Sequence, residues 1–305
     1  MIKIIDFSQW NIYDGAAEGS GRSEKIWLKS TKGEIGLFKF PKIDPVDNSE
    51  TTEHISEHLA YRIGEIVDVS TARVDIGTYK GRIGSMSYFV CEDGEILKEG
   101  IWFISAQFPK YNIETMQDES NGKYYCLDHL FGAVPNLLSN STYIKMMLFD
   151  FLIGNSDRHQ SNWALLIKLL ETSVRIRWSP LYDNGSSLCC YVNSKSLPHL
   201  LGSDTKRFDA FTDSKSKSII RIDGSQKRTP SHREVVEYLL KKYSVTKEIA
   251  KEFIIRLTEA KIDALLKEYP QDVLSDEKKL LIRKFLNKKL DILKKLLLEV
   301  YNESM

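Results

Sequence analysis

The chain is short of the residues that would tie it to an oxidising compartment, a structural metal or a membrane. Its 305 residues include only four cysteines, Cys91, Cys126, Cys189 and Cys190. They form no Cys-x-x-Cys pair and no histidine stands at finger-like spacing from them, which argues against a structural zinc site. Adjacent Cys189 and Cys190 are poor partners for each other, and four scattered thiols suit a reducing compartment, so a cytoplasmic location is expected. No apolar run reaches the ~18 residues of a membrane span. The start, Met1-Ile2-Lys3-Ile4-Ile5-Asp6, is charged too early to read as a secretory signal. Charge of one sign is also lacking. With 43 Lys and Arg against 42 Asp and Glu, the net charge of +1 gives no pull toward nucleic acid or an anionic membrane. What remains is an ordinary globular composition, 42% hydrophobic and 28% charged, with length enough for one two-lobed domain or two small ones.

The first hundred residues read as strands and turns around one helix. Lys25-Ile26-Trp27-Leu28 and Ile35-Gly36-Leu37-Phe38-Lys39-Phe40 form a hairpin across Thr31-Lys32-Gly33. Thr51 to Val67 repeats apolar residues at helical spacing (Ile55, Leu59, Ile63, Ile66), with Thr51 or Thr52 as cap. Two strands follow, around 72–79 and 82–90, joined by Lys80-Gly81. Residues 1–100 are therefore expected as a small β-rich lobe and 101–305 as a larger, mainly helical one, an α+β architecture. In the second part, Ser141 can cap a helix through Tyr143, Met147, Phe151 and Leu152 that stops at Gly154-Asn155. Residues 163–170 and 174–178 predict a hairpin. The polar stretch 203–230 reads as a mobile surface segment. From Ser231 onward the chain is helical, with an apolar stripe of Leu280, Leu281, Phe285, Leu290, Leu293 and Leu297. No internal repeat is present, and the lysines of the last helices interleave with acids as on a solvated face.

Chemistry concentrates in Gly154-Asn155-Ser156-Asp157-Arg158-His159-Gln160-Ser161-Asn162 and in Tyr182-Asp183-Asn184-Gly185. An Asp followed five residues later by Asn is a weak signal alone, because turns use both residues to bond their own backbone. Here it follows an apolar helix and precedes a hairpin that returns Asp183 beside it. Two carboxylates brought to one point need a divalent cation or a proton to relieve their repulsion. An acid–amide–acid set of this kind is what ATP-dependent phosphoryl transfer requires. Asp157 would deprotonate an attacking hydroxyl, and Asn162 and Asp183 would hold magnesium. His159 can bond a phosphate or lock the loop; Arg158 can hold a phosphate or pair with a carboxylate.

Lys39 sits in an otherwise apolar strand, where a lysine normally has a carboxylate partner or a ligand. Glu53 and Glu57, four apart on one face of the next helix, are the candidates. Gly19-Ser20-Gly21-Arg22-Ser23 precedes this strand pair and can lay backbone amides along phosphates. No Gly-x-x-x-x-Gly-Lys-Ser/Thr occurs, which excludes a P-loop, and no Asp-Phe-Gly occurs. The catalytic motif runs Asp-Arg-His rather than His-Arg-Asp.

That order resembles the HipA-like kinases and their phosphoinositide-kinase-like relatives. The resemblance rests on Gly21-Arg22-Ser23-Glu24-Lys25, Phe38-Lys39-Phe40-Pro41, Glu53 to Ala60, the Asp157 motif with Asn162, and Pro180-Leu181-Tyr182-Asp183. It implies a bilobed protein-kinase-like fold and a Ser/Thr protein kinase using ATP and Mg2+, with Asp157 as base and Asn162 and Asp183 as metal ligands. Lys39 would contact the phosphates, together with Gly21, Ser23 and His159. By offset from Leu59-Ala60, Glu53 is the better match for the helix glutamate. Adenine would bond backbone near Ser87 and Phe89, with Tyr182 nearby. The resemblance further implies self-phosphorylation of the Gly-rich loop at Ser20 or Ser23, a protein substrate, and a small DNA-binding antitoxin as partner. It reads as the short form, without the additional N-terminal lobe of larger members. A small-molecule or lipid kinase would share these residues, and a non-catalytic kinase-fold module is the other alternative. No basic amphipathic lipid-binding segment supports the lipid version.

Overall fold

The computed structural model describes residues 1–15, 24–134 and 140–303. The small lobe is a six-stranded sheet built from β1 (Ile5–Asp6), β2 (Asn11–Ile12), β3 (Lys25–Lys29), β4 (Ile35–Lys39), β5 (Val74–Tyr79) and β6 (Arg82–Tyr88). Its order is β1-β5-β6-β4-β3-β2, antiparallel except for the parallel β1–β5 pair. The predicted hairpin pairs Lys25 with Lys39 and Lys29 with Ile35. Phe7, Leu28, Phe38, Phe40, Tyr79 and Met86 fill a separate apolar cluster in this lobe. Phe38 stands edge-on to Phe7 and Phe40, the geometry that the ring quadrupoles favour.

Helix α1 (Glu53–Val67) crosses from this sheet to the rest of the molecule. Its inward residues Ile55, Leu59, Ala60, Ile63 and Val67 belong to the large core, not to the small-lobe cluster. The helix also packs against β5 and β6 of the sheet, and so it fixes the lobes against each other. It ends at Asp68 in left-handed conformation, φ 59°. The main-chain links between Ala72 and Leu181 and between Leu181 and Ser70 clasp the chain next to the Asp183 turn.

Strand β7 (Glu95–Glu99) pairs with β11 (Ala164–Leu169), which pairs with β12 (Val174–Trp178). A boundary at Gly100 would leave β7 in the small lobe, but its ladder puts it with the large one. Between them lie α2 (Gly100–Gln107), a small sheet of β8 (Tyr111–Asn112), β9 (Gln117–Asp118) and β10 (Lys123–Tyr124), then α3 (Leu127–Ala133) and α4 (Asn140–Ile153). Helix α4 is buried from Met146 to Ile153 on every face, as a helix at the centre of a lobe must be.

The remaining helices are α5 (Leu197–Leu201), α6 (Thr205–Thr212), α7 (His232–Lys242), α8 (Ser244–Arg256), α9 (Glu259–Lys267) and the 27-residue α10 (Asp276–Asn302). The starts of α7, α9 and α10 are written in the sequence. Ser231 and Glu234 form a reciprocal capping box on α7, and Thr258 and Ser275 cap α9 and α10. Two expectations are corrected. Stretch 203–230 is built into the core, with Phe208, Thr212 and Ile220 buried, because a few inward residues suffice where α6 lies against α10. Leu280 is 37% exposed, since it falls one residue out of phase with the stripe through Leu281 and Phe285.

Candidate active site

The loop after α4 is held by its own polar groups. Gly154 takes φ 69°, and a Cβ there would lie 2.6 Å from the Phe285 ring, so both conformation and space demand glycine. The Asn155 side-chain amide donates to Asp150, and Asn155 Oδ1 accepts the Asp157 main-chain N–H at 3.1 Å. Asn162 Nδ2 donates to the Asp157 carbonyl at 2.7 Å, which closes the turn and leaves the amide oxygen as a donor atom for a cation. The His159 ring nitrogen accepts from the Ser161 main chain at 3.2 Å, a loop-locking contact.

Arg158 is the buried keystone of this loop, 1% exposed. It forms an ion pair with Asp150 at 2.8 Å and donates to the carbonyls of Asn162 and Tyr182 and to Asn184 Oδ1. Its planar fork thereby joins the Asp157 loop to the Asp183 turn, a geometry lysine cannot reproduce. Tyr182 adds a second tie, its hydroxyl donating to the Ser161 carbonyl at 2.9 Å. Asp183 itself has φ 56° and a side chain 44% exposed.

Lys39 reaches over from β4. Its Nζ lies 2.9 Å from Asp183 Oδ1 and 3.7 Å from Glu57 Oε2. Burial alone would depress this ammonium, but the Asp183 and Glu57 carboxylates more than offset it and hold it above its ordinary value. The same pairing with Lys39 lowers Asp183. Glu57, 2% exposed, is raised by burial and by the Asp183 charge despite Lys39 and the Asn184 N–H it accepts. Gly185 lets it approach, since a Cβ there would come within 3.0 Å of Glu57 Oε2. Glu53 is corrected as the partner of Lys39. It bonds Lys42 at 2.8 Å, Thr51 at 2.9 Å and Tyr191 at 2.7 Å, one turn of helix away.

Asp157 is raised, first by burial and then by Asp183, with His159 and Lys42 opposing. Two carboxylates thus feel each other across the cleft, with Lys39 fixed to one of them. Among the described residues no three His, Cys, Asp or Glu side chains gather to hold a metal by themselves. The donor set suits magnesium all the same: a hard carboxylate, an amide oxygen, and room for phosphate oxygens to complete the shell.

Two further predicted positions stand at the end of β6. Ser87 registers with Leu37 on one side and Val74 on the other, and Phe89 donates its amide to the Ile35 carbonyl at 2.9 Å. Ser87 thus lies inside the sheet, and Phe89 follows directly after the end of β6. The Phe89 ring is 48% exposed beside Trp27. Gly21, Ser20 and Ser23 lie outside the described residues. Sequence reading missed the structural roles of Asp150 and Asn184; only the apolar surroundings of Asp150 in α4 signalled that it needs a buried partner.

The two-lobed arrangement, with a lysine-bearing strand, a helix glutamate and two acid-bearing turns at the lobe junction, is that of the HipA-like kinase fold. The chain covers 97% of its own length and 99% of the crystal structure of the Helicobacter pylori proinflammatory kinase CtkA, with TM-score 0.78 and 20% identity. It also matches the HipA toxin–antitoxin complex structure of Shewanella oneidensis, with TM-score 0.56 and 12% identity, over 93% of this chain and 66% of that one. In sequence it is 27% identical over 189 residues to the serine/threonine-protein kinase CtkA of Helicobacter pylori, covering 60% of this chain. The match spans 56% of the length of that relative. No family model matches the sequence. Among the described residues no helix is long and apolar enough to cross a membrane.

Proposed function

We propose that the chain is a HipA-like serine/threonine protein kinase that transfers the γ-phosphoryl group of ATP to a protein hydroxyl. The observation that carries this reading is the Lys39–Asp183–Glu57 cluster, tied through Asn184 and Arg158 to the turn that bears Asp157. The kinase name of the sequence relative supports it.

Asp157 orients the acceptor hydroxyl and takes its proton as the oxygen bonds to the γ-phosphorus and the bond to the β-phosphate oxygen breaks. A carboxylate raised by burial keeps more of its basicity for that step. Lys39 aligns the phosphates, with Glu57 and Asp183 fixing where its ammonium points. Asn162 and Asp183 would hold magnesium, which supplies charge for the developing phosphate oxygens. The chain's own contribution is position and fixed charge, which dominate this class of reaction. A protein substrate, a cytoplasmic location and a small DNA-binding antitoxin partner belong to the same proposal, as does self-phosphorylation at Ser20 or Ser23.

Asp157→Asn tests the assignment. Transfer of label from γ-labelled Mg-ATP to protein should fall by at least ~100-fold, in the range known for general bases, while nucleotide binding by calorimetry is kept. Undiminished transfer would overturn Asp157 as base, and labelling of a small molecule instead of protein would overturn the substrate class.

A further inference from the structure

A lysine and a histidine are sealed inside the large lobe directly beneath the Asp157 loop. Lys289 of α10 is 1% exposed and His232, the first residue of α7, is 3% exposed. Lys289 Nζ donates to Ser216 Oγ at 2.8 Å, Ser216 Oγ lies 3.0 Å from His232 Nδ1, and His232 Nε2 lies 2.9 Å from the Asn155 carbonyl. Three segments far apart in sequence thus converge on one carbonyl. That carbonyl belongs to the residue whose side chain accepts the Asp157 amide.

The direction of every bond follows from the end of the chain. A carbonyl only accepts, so His232 Nε2 carries the hydrogen. Burial pushes His232 down to about 3, so the ring is neutral and Nδ1 is an acceptor. Ser216 must then donate its hydroxyl hydrogen to Nδ1, and its oxygen accepts from Lys289. The ammonium has no acid within ion-pairing reach among the described residues. It faces the rings of Phe151 at 4.7 Å and Phe285 at 5.3 Å, and burial lowers it to about 7. Such a lysine is costly: an apolar side chain of similar length would pack there without desolvating a charge. Stability alone does not account for it.

We propose that Lys289, Ser216 and His232 form a positioning relay that fixes the Asn155 carbonyl and, through Asn155 Oδ1, the main chain of Asp157. The inference rests on the reading of Asp157 as base, but its geometry does not. The relay reaches the base loop and makes no contact with Lys39, Asn162 or Asp183, so it acts on turnover and not on nucleotide affinity.

The test uses the full chain. His232→Phe removes both bonds and should lower kcat by ~10- to 100-fold, as a misplaced catalytic group does, with KM for Mg-ATP unchanged. His232→Gln keeps a donor and an acceptor and should recover most of that loss. Ser216→Ala and Lys289→Met should each lower kcat several-fold, and Lys289→Met should not lower the thermal midpoint. Nitrogen-15 spectra should show the Nε2–H tautomer of His232 in the wild-type chain and in Asp157→Asn. Wild-type kcat in both Ser216→Ala and Lys289→Met, or an Nδ1–H tautomer, would overturn the relay. Retained transfer in Asp157→Asn would overturn only the base, because the tautomer is read without turnover. Should His232→Phe fail to fold, Ser216→Ala and the spectra decide.

Discussion

The main-chain N–H of Asn184 donates to Glu57 Oε1 at 2.9 Å, while the other oxygen of the same carboxylate faces Lys39 at 3.7 Å. One buried side chain on α1 therefore sets both the cation and the turn that presents Asp183. Glu53, one helical turn earlier, does neither. It is spent on Lys42, Thr51 and Tyr191 at the rim. The two substitutions should separate cleanly. Glu57→Gln leaves Lys39 with one counter-charge, and is expected to raise KM for Mg-ATP and lower kcat, together about 100-fold or ~2.7 kcal/mol of transition-state stabilisation. Glu53→Gln should stay within a few-fold of wild type. Steady-state kinetics on both variants checks this, and equal losses would put the pairing in error.

Arg158 offers a prediction about folding as much as about turnover. Its guanidinium is the shared donor for buried Asp150, Asn162 and Asn184 and for half-buried Tyr182. Arg158→Met strands the Asp150 carboxylate without its charge partner, and removing one member of a buried pair costs ~3–5 kcal/mol. Urea unfolding should show a midpoint lowered accordingly. The double variant Arg158→Met with Asp150→Leu should regain most of that stability, because no charge is left buried. It should not regain activity, since the ties to Tyr182 and Asn184 stay broken.

The parts of the site that were legible in the sequence are the local ones. An apolar helix, Gly154, and a hairpin returning to Asp183 lie close together in the chain, so spacing alone places them. Choosing between Glu53 and Glu57 was beyond spacing, because both lie on one helix face and the choice turns on Lys42 claiming the first. Ser87 stood in a strand that reads the same whether it is an edge or an interior one; only its pairing with both β4 and β5 places Ser87 inside the sheet. Stretch 203–230 misled through its composition, since Phe208 and Ile220 carry its burial among polar neighbours. The His232–Ser216–Lys289 relay is wholly non-local, and a lysine among leucines on an amphipathic helix carries no mark of which way it points.

Lys289 also predicts how stability should vary with pH. Burial lowers it from an ordinary 10.5 to about 7 in the folded chain. Between those values the unfolded chain binds the proton and the folded chain does not, so the unfolded state holds more protons and stability rises with pH. Above the unfolded value the lysine is neutral in both states and costs nothing. As pH falls toward 7 the cost grows, and below it the cost is complete. The groups around it are the Asp213 carboxylate and the Cys189 thiol, both of which favour the charged form and lose to burial. At about 1.4 kcal/mol per pKa unit, the full swing is on the order of a few kcal/mol. Lys289→Met lacks this group, so its advantage over wild type in chemical denaturation should be largest near pH 6 and shrink steadily toward pH 10. A difference between the two chains that stays constant across that window would place Lys289 at its ordinary value and show that solvent reaches it.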